Sequence, residues 1–242
     1  DNILIDMLNY FVHILLKSEK GFMTSSITKW FALLGKTKSF SSFLADSSDD
    51  RKATVEALST LITLLFLDLE SNFGSTDNDS LFISDPNNLI RITDIVMTSS
   101  FNPIIMYAWS IILHRQHVLL LANPGNKSAI EYQRKLVEGG MKNIEVTYLF
   151  LVDEALKMDV CHALVKNNDL ISYDPLFPSI LGCFVNAYIG YVEPTHEIIT
   201  TIASIMRKSS NKVIEKFFGN PFTEELLILL KAKMPLTLNS YL

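Results

Sequence analysis

The chain has 242 residues, 48% hydrophobic and 19% charged, so it can bury a large core and lies outside the composition range of disordered chains. Its net charge of −5 lacks the basic footprint of a general nucleic-acid binder, and no direct nucleic-acid contact is expected. Two cysteines, Cys161 and Cys183, are too few for a disulfide framework and stand at no zinc spacing; they read as buried thiols of a reducing compartment.

Helical periodicity dominates from the first residue. "DNILIDMLNYFVHILLK" starts inside a helical pattern, with no initiator Met and no cleavable leader pattern, and reads as part of a longer chain. Further helices are expected after Thr24-Ser25, around Ser47 to Asp50, near Asn87, near Ser128 and near Asn143. In Val55 to Glu70, Leu58, Leu61, Ile62, Leu65 and Leu69 recur at three- and four-residue steps and make one apolar stripe, which Leu64 and Phe66 widen. Asn102-Pro103, Asp174-Pro175 and Asn220-Pro221 each set a side-chain acceptor before a proline, the N-cap and first-turn pair that opens a helix; a further helix is expected to begin at Pro194-Thr195. "NPGN" (Asn123 to Asn126) and Gly139-Gly140 stop helices. Ser71 to Asn88 reads as an acidic, exposed loop.

These signals give about ten helices whose pairs recur roughly every 40 to 47 residues, as in HEAT and armadillo stacks, with no residue-level repeat. The expected fold is all-α, an irregular α-solenoid forming one continuous segment over residues 1–242. Leu176 to Val192 carries no charge but includes Pro178, Gly182, Asn186 and Gly190, and it is shorter than the roughly 20 apolar residues of a span. A helix buried by its neighbours is expected there, and no transmembrane segment. The apolar ends, Asp1 to Leu16 and Leu236 to Leu242, are expected to expose surface that further repeats would cover.

Catalytic and metal signatures are weak. Gly35-Lys36-Thr37 resembles the tail of a phosphate loop, but Trp30 stands where that loop needs glycine and a helix precedes it. "GKTKS" (Gly35 to Ser39) and "RKSSNK" (Arg207 to Lys212) read as basic helix ends. His114 and His117 lack a third ligand and read as a surface pair, with Arg115 and Gln116 on the wetter side. Asp49-Asp50 invites comparison with the magnesium motifs of all-α terpenoid synthases, yet no second acidic cluster supports it, and capping of a helix start is the expected role. No Gly-x-Ser-x-Gly elbow is present. No enzyme activity, catalytic residue, metal or cofactor is expected, and the aromatics of "KWFALL" and "MYAWSIIL" read as core.

In "VIEKFFGNPFTEELLILLKAKMPL" (Val213 to Leu236), Phe217-Phe218 is expected to end one helix and Pro221 to begin the next. The two phenylalanines are expected to anchor the stacking, while Leu226, Leu227, Leu229 and Leu230 pack inward. This stretch, with Phe217, Phe218, Pro221, Phe222 and Pro235, resembles the FF-x-x-P-F … A-x-x-P segment of the large inner-ring scaffold nucleoporins, the nucleoporin 188/192 family. "FNPIIMYAWSIILHR", with Pro103, Ala108 and Trp109, is similar to a helix of the N-terminal half of those proteins, and the 188 branch is slightly favoured.

The resemblance implies a structural spacer of the nuclear pore complex at the nuclear envelope, supporting nucleocytoplasmic transport. It implies docking of other scaffold and linker nucleoporins, and weak engagement of FG-repeat segments or transport receptors. A soluble karyopherin-like receptor or trafficking adaptor of the same helical build is the alternative.

Overall fold

The computed structural model describes residues 3–18, 24–68, 84–99, 101–122 and 124–160, with 211–219 and a few helical positions farther along the chain. The chain forms two compact units, Asp1–Val160 and Cys161–Leu242. All regular structure among the described residues is helical. Seven α-helices belong to the first unit: α1 (Ile3–Lys17), α2 (Thr24–Thr37), α3 (Asp49–Leu67), α4 (Pro86–Thr98), α5 (Pro103–Ala122), α6 (Lys127–Glu138) and α7 (Ile144–Lys157), with a short 3-10 helix at Ser41–Phe43. In the second unit the described helix is α8 (Asn211–Phe218).

Asparagine and aspartate set most of the described starts. Asn102 Oδ1 accepts from the Ile104 N–H at 2.8 Å ahead of Pro103. Asn126 accepts from the Ser128 N–H at 2.8 Å, and Asn143 from the Glu145 N–H at 2.8 Å. Each gives an orphan amide of a first turn a partner. Asp85-Pro86 is the same device: Asp85 Oδ1 accepts from the Asn87 N–H at 3.0 Å. Helix α4 therefore starts at Pro86, within a residue of the start expected near Asn87, and the last residues of the stretch expected to be loop form its first turn. After α6 the chain turns through Gly140 at φ +96°. Met141 N–H bonds the Leu136 carbonyl (2.9 Å) and Gly140 N–H that of Val137 (3.1 Å), and the buried Met141 and Leu136 complete this helix stop.

Within the first unit each helix packs on its next-but-one neighbour. Helix α1 meets α3, α3 meets α5 and α5 meets α7, while α2 meets α4 and α4 meets α6. This gives an odd-numbered and an even-numbered row, the stacking of an α-solenoid, as expected from the sequence. Helix α3 is buried at almost every position from Ala57 to Leu67, and α5 at every position from Pro103 to Leu113. An interior member of a row needs apolar residues on all sides, which explains why neither helix has a clean polar face.

Helix α5 is also long and apolar enough to cross a membrane, yet 67% of its most apolar stretch is buried within the protein. Helix α6 is its opposite, with only Tyr132 and Leu136 buried. Close approach of α2 and α4 depends on Gly35, where an added Cβ would stand 2.9 Å from Ile95 Cγ2.

Candidate interaction surface

The three residues of the first unit that carry the resemblance lie on α5. Pro103, Ala108 and Trp109 are buried in α5, and the Trp109 Nε1–H donates to Thr93 Oγ1 of α4 at 3.0 Å. The Thr93 hydroxyl in turn donates to the Leu89 carbonyl at 2.8 Å. One pair earlier the arrangement recurs: Trp30 Nε1–H of α2 donates to Thr63 Oγ1 of α3 at 2.9 Å, and Thr63 donates to the Ser59 carbonyl at 2.7 Å. A third bond, Gln116 Nε2–H to Tyr132 Oη at 3.2 Å, joins α5 to α6. Burial raises the Tyr132 phenol pKa, and the Gln116 hydrogen bond offsets part of that rise.

Apolar ridges thus hold each row, while these buried side-chain bonds tie one row to the other. An unmade bond at such a site costs about 1–3 kcal/mol, so each fixes a unique pairing of helices. The rings around them are packed accordingly. Phe31 lies 5.5 Å from Trp109 and 6.3 Å from Phe101, and Trp30 is surrounded by Phe11, Phe66 and Phe40 at 5.9, 5.9 and 6.2 Å.

Two readings of polar residues are corrected. Gln116 is not on a wet side: it is fully buried, because α5 is covered there by Tyr132 of α6. His114 and His117 are half-buried at the contact with α7, where their rings lie 5.2 and 5.9 Å from that of Tyr148. Burial first, and the neighbouring His117 second, hold the His114 imidazole below its usual pKa. Asp49 and Asp50 stand in the first turn of α3, with Lys52 3.6 Å from Asp49. Among the described residues no three His, Cys, Asp or Glu side chains gather where they could hold a metal ion.

In the second unit α8 ends at Phe218, as expected, and Gly219 N–H bonds the Glu215 carbonyl at 2.9 Å. The Phe218 ring is 62% exposed and Leu227 is 43% exposed, so neither is the buried contact that was expected. The side chain of Phe217 lies outside the described residues, as do Pro221, Phe222, Pro235, both cysteines and the 176–192 run.

Two surface features remain. An open groove of about 720 Å³ runs between α2 and α4, lined by the apolar Ala32, Gly35, Ile90 and Ile95 together with Lys36, Arg91 and Asp94. Exposed apolar side chains concentrate on the first and last described helices of the odd row in the first unit: Ile3, Met7, Tyr10 and Ile14 on α1, and Val146, Leu149 and Phe150 on α7. Such surfaces are the kind that other protein segments cover.

A family described as nucleoporin Nup188, N-terminal, matches residues 2–242. The chain belongs to this nucleoporin family. Nucleoporin NUP188 of Saccharomyces cerevisiae (strain ATCC 204508 / S288c) is 24% identical over 192 residues, covering 75% of this chain and 10% of that protein. The chain thus spans about a tenth of the length of that curated relative. No solved structure matches it. Family membership places the chain at the nuclear pore complex of the nuclear envelope and points to a structural role among other pore components. In this Nup188-type segment Trp109 joins the two helix rows through its bond to Thr93.

Proposed function

We propose that residues 1–242 serve as a stiff scaffold segment of the inner ring of the nuclear pore, one continuous solenoid stretch that holds neighbouring scaffold and linker nucleoporins by surface contact and carries out no chemistry. The observation that carries this reading is the family match across residues 2–242. The two-row stack supports it physically, since repeats that touch only near neighbours present an extended surface on which weak contacts gain strength through linkage. The groove between α2 and α4 is the docking place we assign to an extended linker segment: Ile90 and Ile95 can take its apolar side chains, and Lys36, Arg91 and Asp94 of the same lining can hold its polar groups.

Neither the family match nor the relative favours a shuttling receptor. Affinity capture of the full-length protein from nuclear envelopes tests the reading. Recovery of inner-ring components is the expected result, with their yield reduced by Ile95→Glu in the groove. Recovery of trafficking coats or soluble cargo, without pore components, would overturn it.

A further inference from the structure

The link between α2 and α3 holds a conformation that its own residues do not favour. At the end of α2 the Ser39 N–H bonds the Leu34 carbonyl (2.8 Å) and the Lys38 N–H bonds that of Gly35 (3.3 Å), a helix stop that needs one left-handed residue, which Lys38 supplies. Ser39 and Phe40 stay left-handed as well, at φ 54° and 66°, and residues other than glycine enter that region singly, not in runs. Residues 36–48 include no glycine, proline or asparagine, so no local breaker stops α2 from continuing.

What holds the turn is Phe40. Its side chain is 6% exposed, with its ring 6.2 Å from that of Trp30. That contact exists only while the chain turns back, because ten residues of continuous helix would set Phe40 about 15 Å from Trp30 along the axis. Two states therefore oppose each other: a strained turn that buries a ring, and an unstrained helix that releases it. We infer that residues 38–43 form a two-state link, which either turns back with Phe40 against Trp30 or carries α2 on through Phe43, about 9 Å farther. The link gives this scaffold segment an adjustable joint beside its packed rows.

The Ser42 amide distinguishes the two states. In the turn its N–H has no hydrogen-bond partner among the described residues, whereas in a continuous helix it bonds the Lys38 carbonyl four residues back. Hydrogen exchange of the full-length protein, read at single-residue resolution by fragmentation mass spectrometry, should find this amide nearly unprotected in wild type. Phe40→Ala should protect it at least tenfold, and Phe40→Leu by less in the same direction. Adding Ser39→Gly to Phe40→Ala should return it toward the wild-type rate, because glycine both relieves the left-handed turn and weakens the helix. Amides at the centre of α3 should keep their protection throughout, as the control for a folded first unit. A Ser42 amide that stays unprotected in both Phe40 variants, or protection that Ser39→Gly leaves untouched, would overturn the inference.

Discussion

The two tryptophan junctions make the same bond in opposite senses. Trp30 sits on the even row and donates to a threonine of the odd row, whereas Trp109 sits on the odd row and donates to a threonine of the even row. Simple duplication of a helix pair would have kept the donor on the same helix of each pair. Both junctions meet one physical demand: an indole N–H buried between rows must find an acceptor. A threonine suits that task because its own hydroxyl hydrogen is already given to the carbonyl four residues back. The junctions differ in depth as well, Trp109 being fully buried and Trp30 6% exposed.

The sharpest way to break the comparison is to empty each site. Trp109→Ala should cost about 3–5 kcal/mol of unfolding free energy and Trp30→Ala less, measured by chemical denaturation. Equal losses would show that the deeper burial of Trp109 carries no extra weight. Next, Thr93→Val and Thr63→Val each leave a buried indole N–H without its acceptor, for about 1–3 kcal/mol. Pairing Thr93→Val with Trp109→Phe should restore part of the loss in a double-mutant cycle, because donor and acceptor then leave together.

A smaller effect separates the half-buried α5–α7 contact from these neutral pins. His114 has a lowered pKa in the folded protein, so the unfolded chain binds more protons once the pH falls below the ordinary value of about 6.5. Its contribution to stability is complete above that value and is lost as the pH drops from there toward the folded pKa. His114→Gln should flatten this part of the pH dependence relative to wild type, while Thr93→Val should leave it unchanged. The smallest effect is expected on α6, where Arg134 pairs with Glu131 and Glu138 in full view of solvent. Arg134→Ala should leave the denaturation midpoint within error, since exposed pairs are offset by side-chain entropy and screening.

Local rules made much of this legible beforehand. The caps at Asn102 and Asn143 and the stop at Gly139-Gly140 are set by residues a few positions apart, and reading them required no tertiary information. The turn after α2 was not readable in that way. Lys38, Ser39 and Phe40 all adopt positive φ, at 47°, 54° and 66°, with no glycine or asparagine to announce it, at a cost of roughly 1–2 kcal/mol each. Burial of Phe40 beside Trp30 is what compensates. Gln116 was misread for a similar reason: a polar residue beside Arg115 looks wet until Tyr132 of another helix is known to cover it.

The sequence by itself determined an all-α chain, most of the helix boundaries in the first unit and the likeness to scaffold nucleoporins, because capping groups, prolines and apolar periodicity act over a turn or two of one helix. Only the tertiary structure decided that helices pack on their next-but-one neighbours, that the two tryptophans pin the rows together from opposite sides, and that α1 keeps an apolar seam facing outward. Those outcomes depend on which distant surfaces meet. Many pairings of amphipathic helices bury similar apolar area, and the buried hydrogen bonds between specific side chains are what single out one of them.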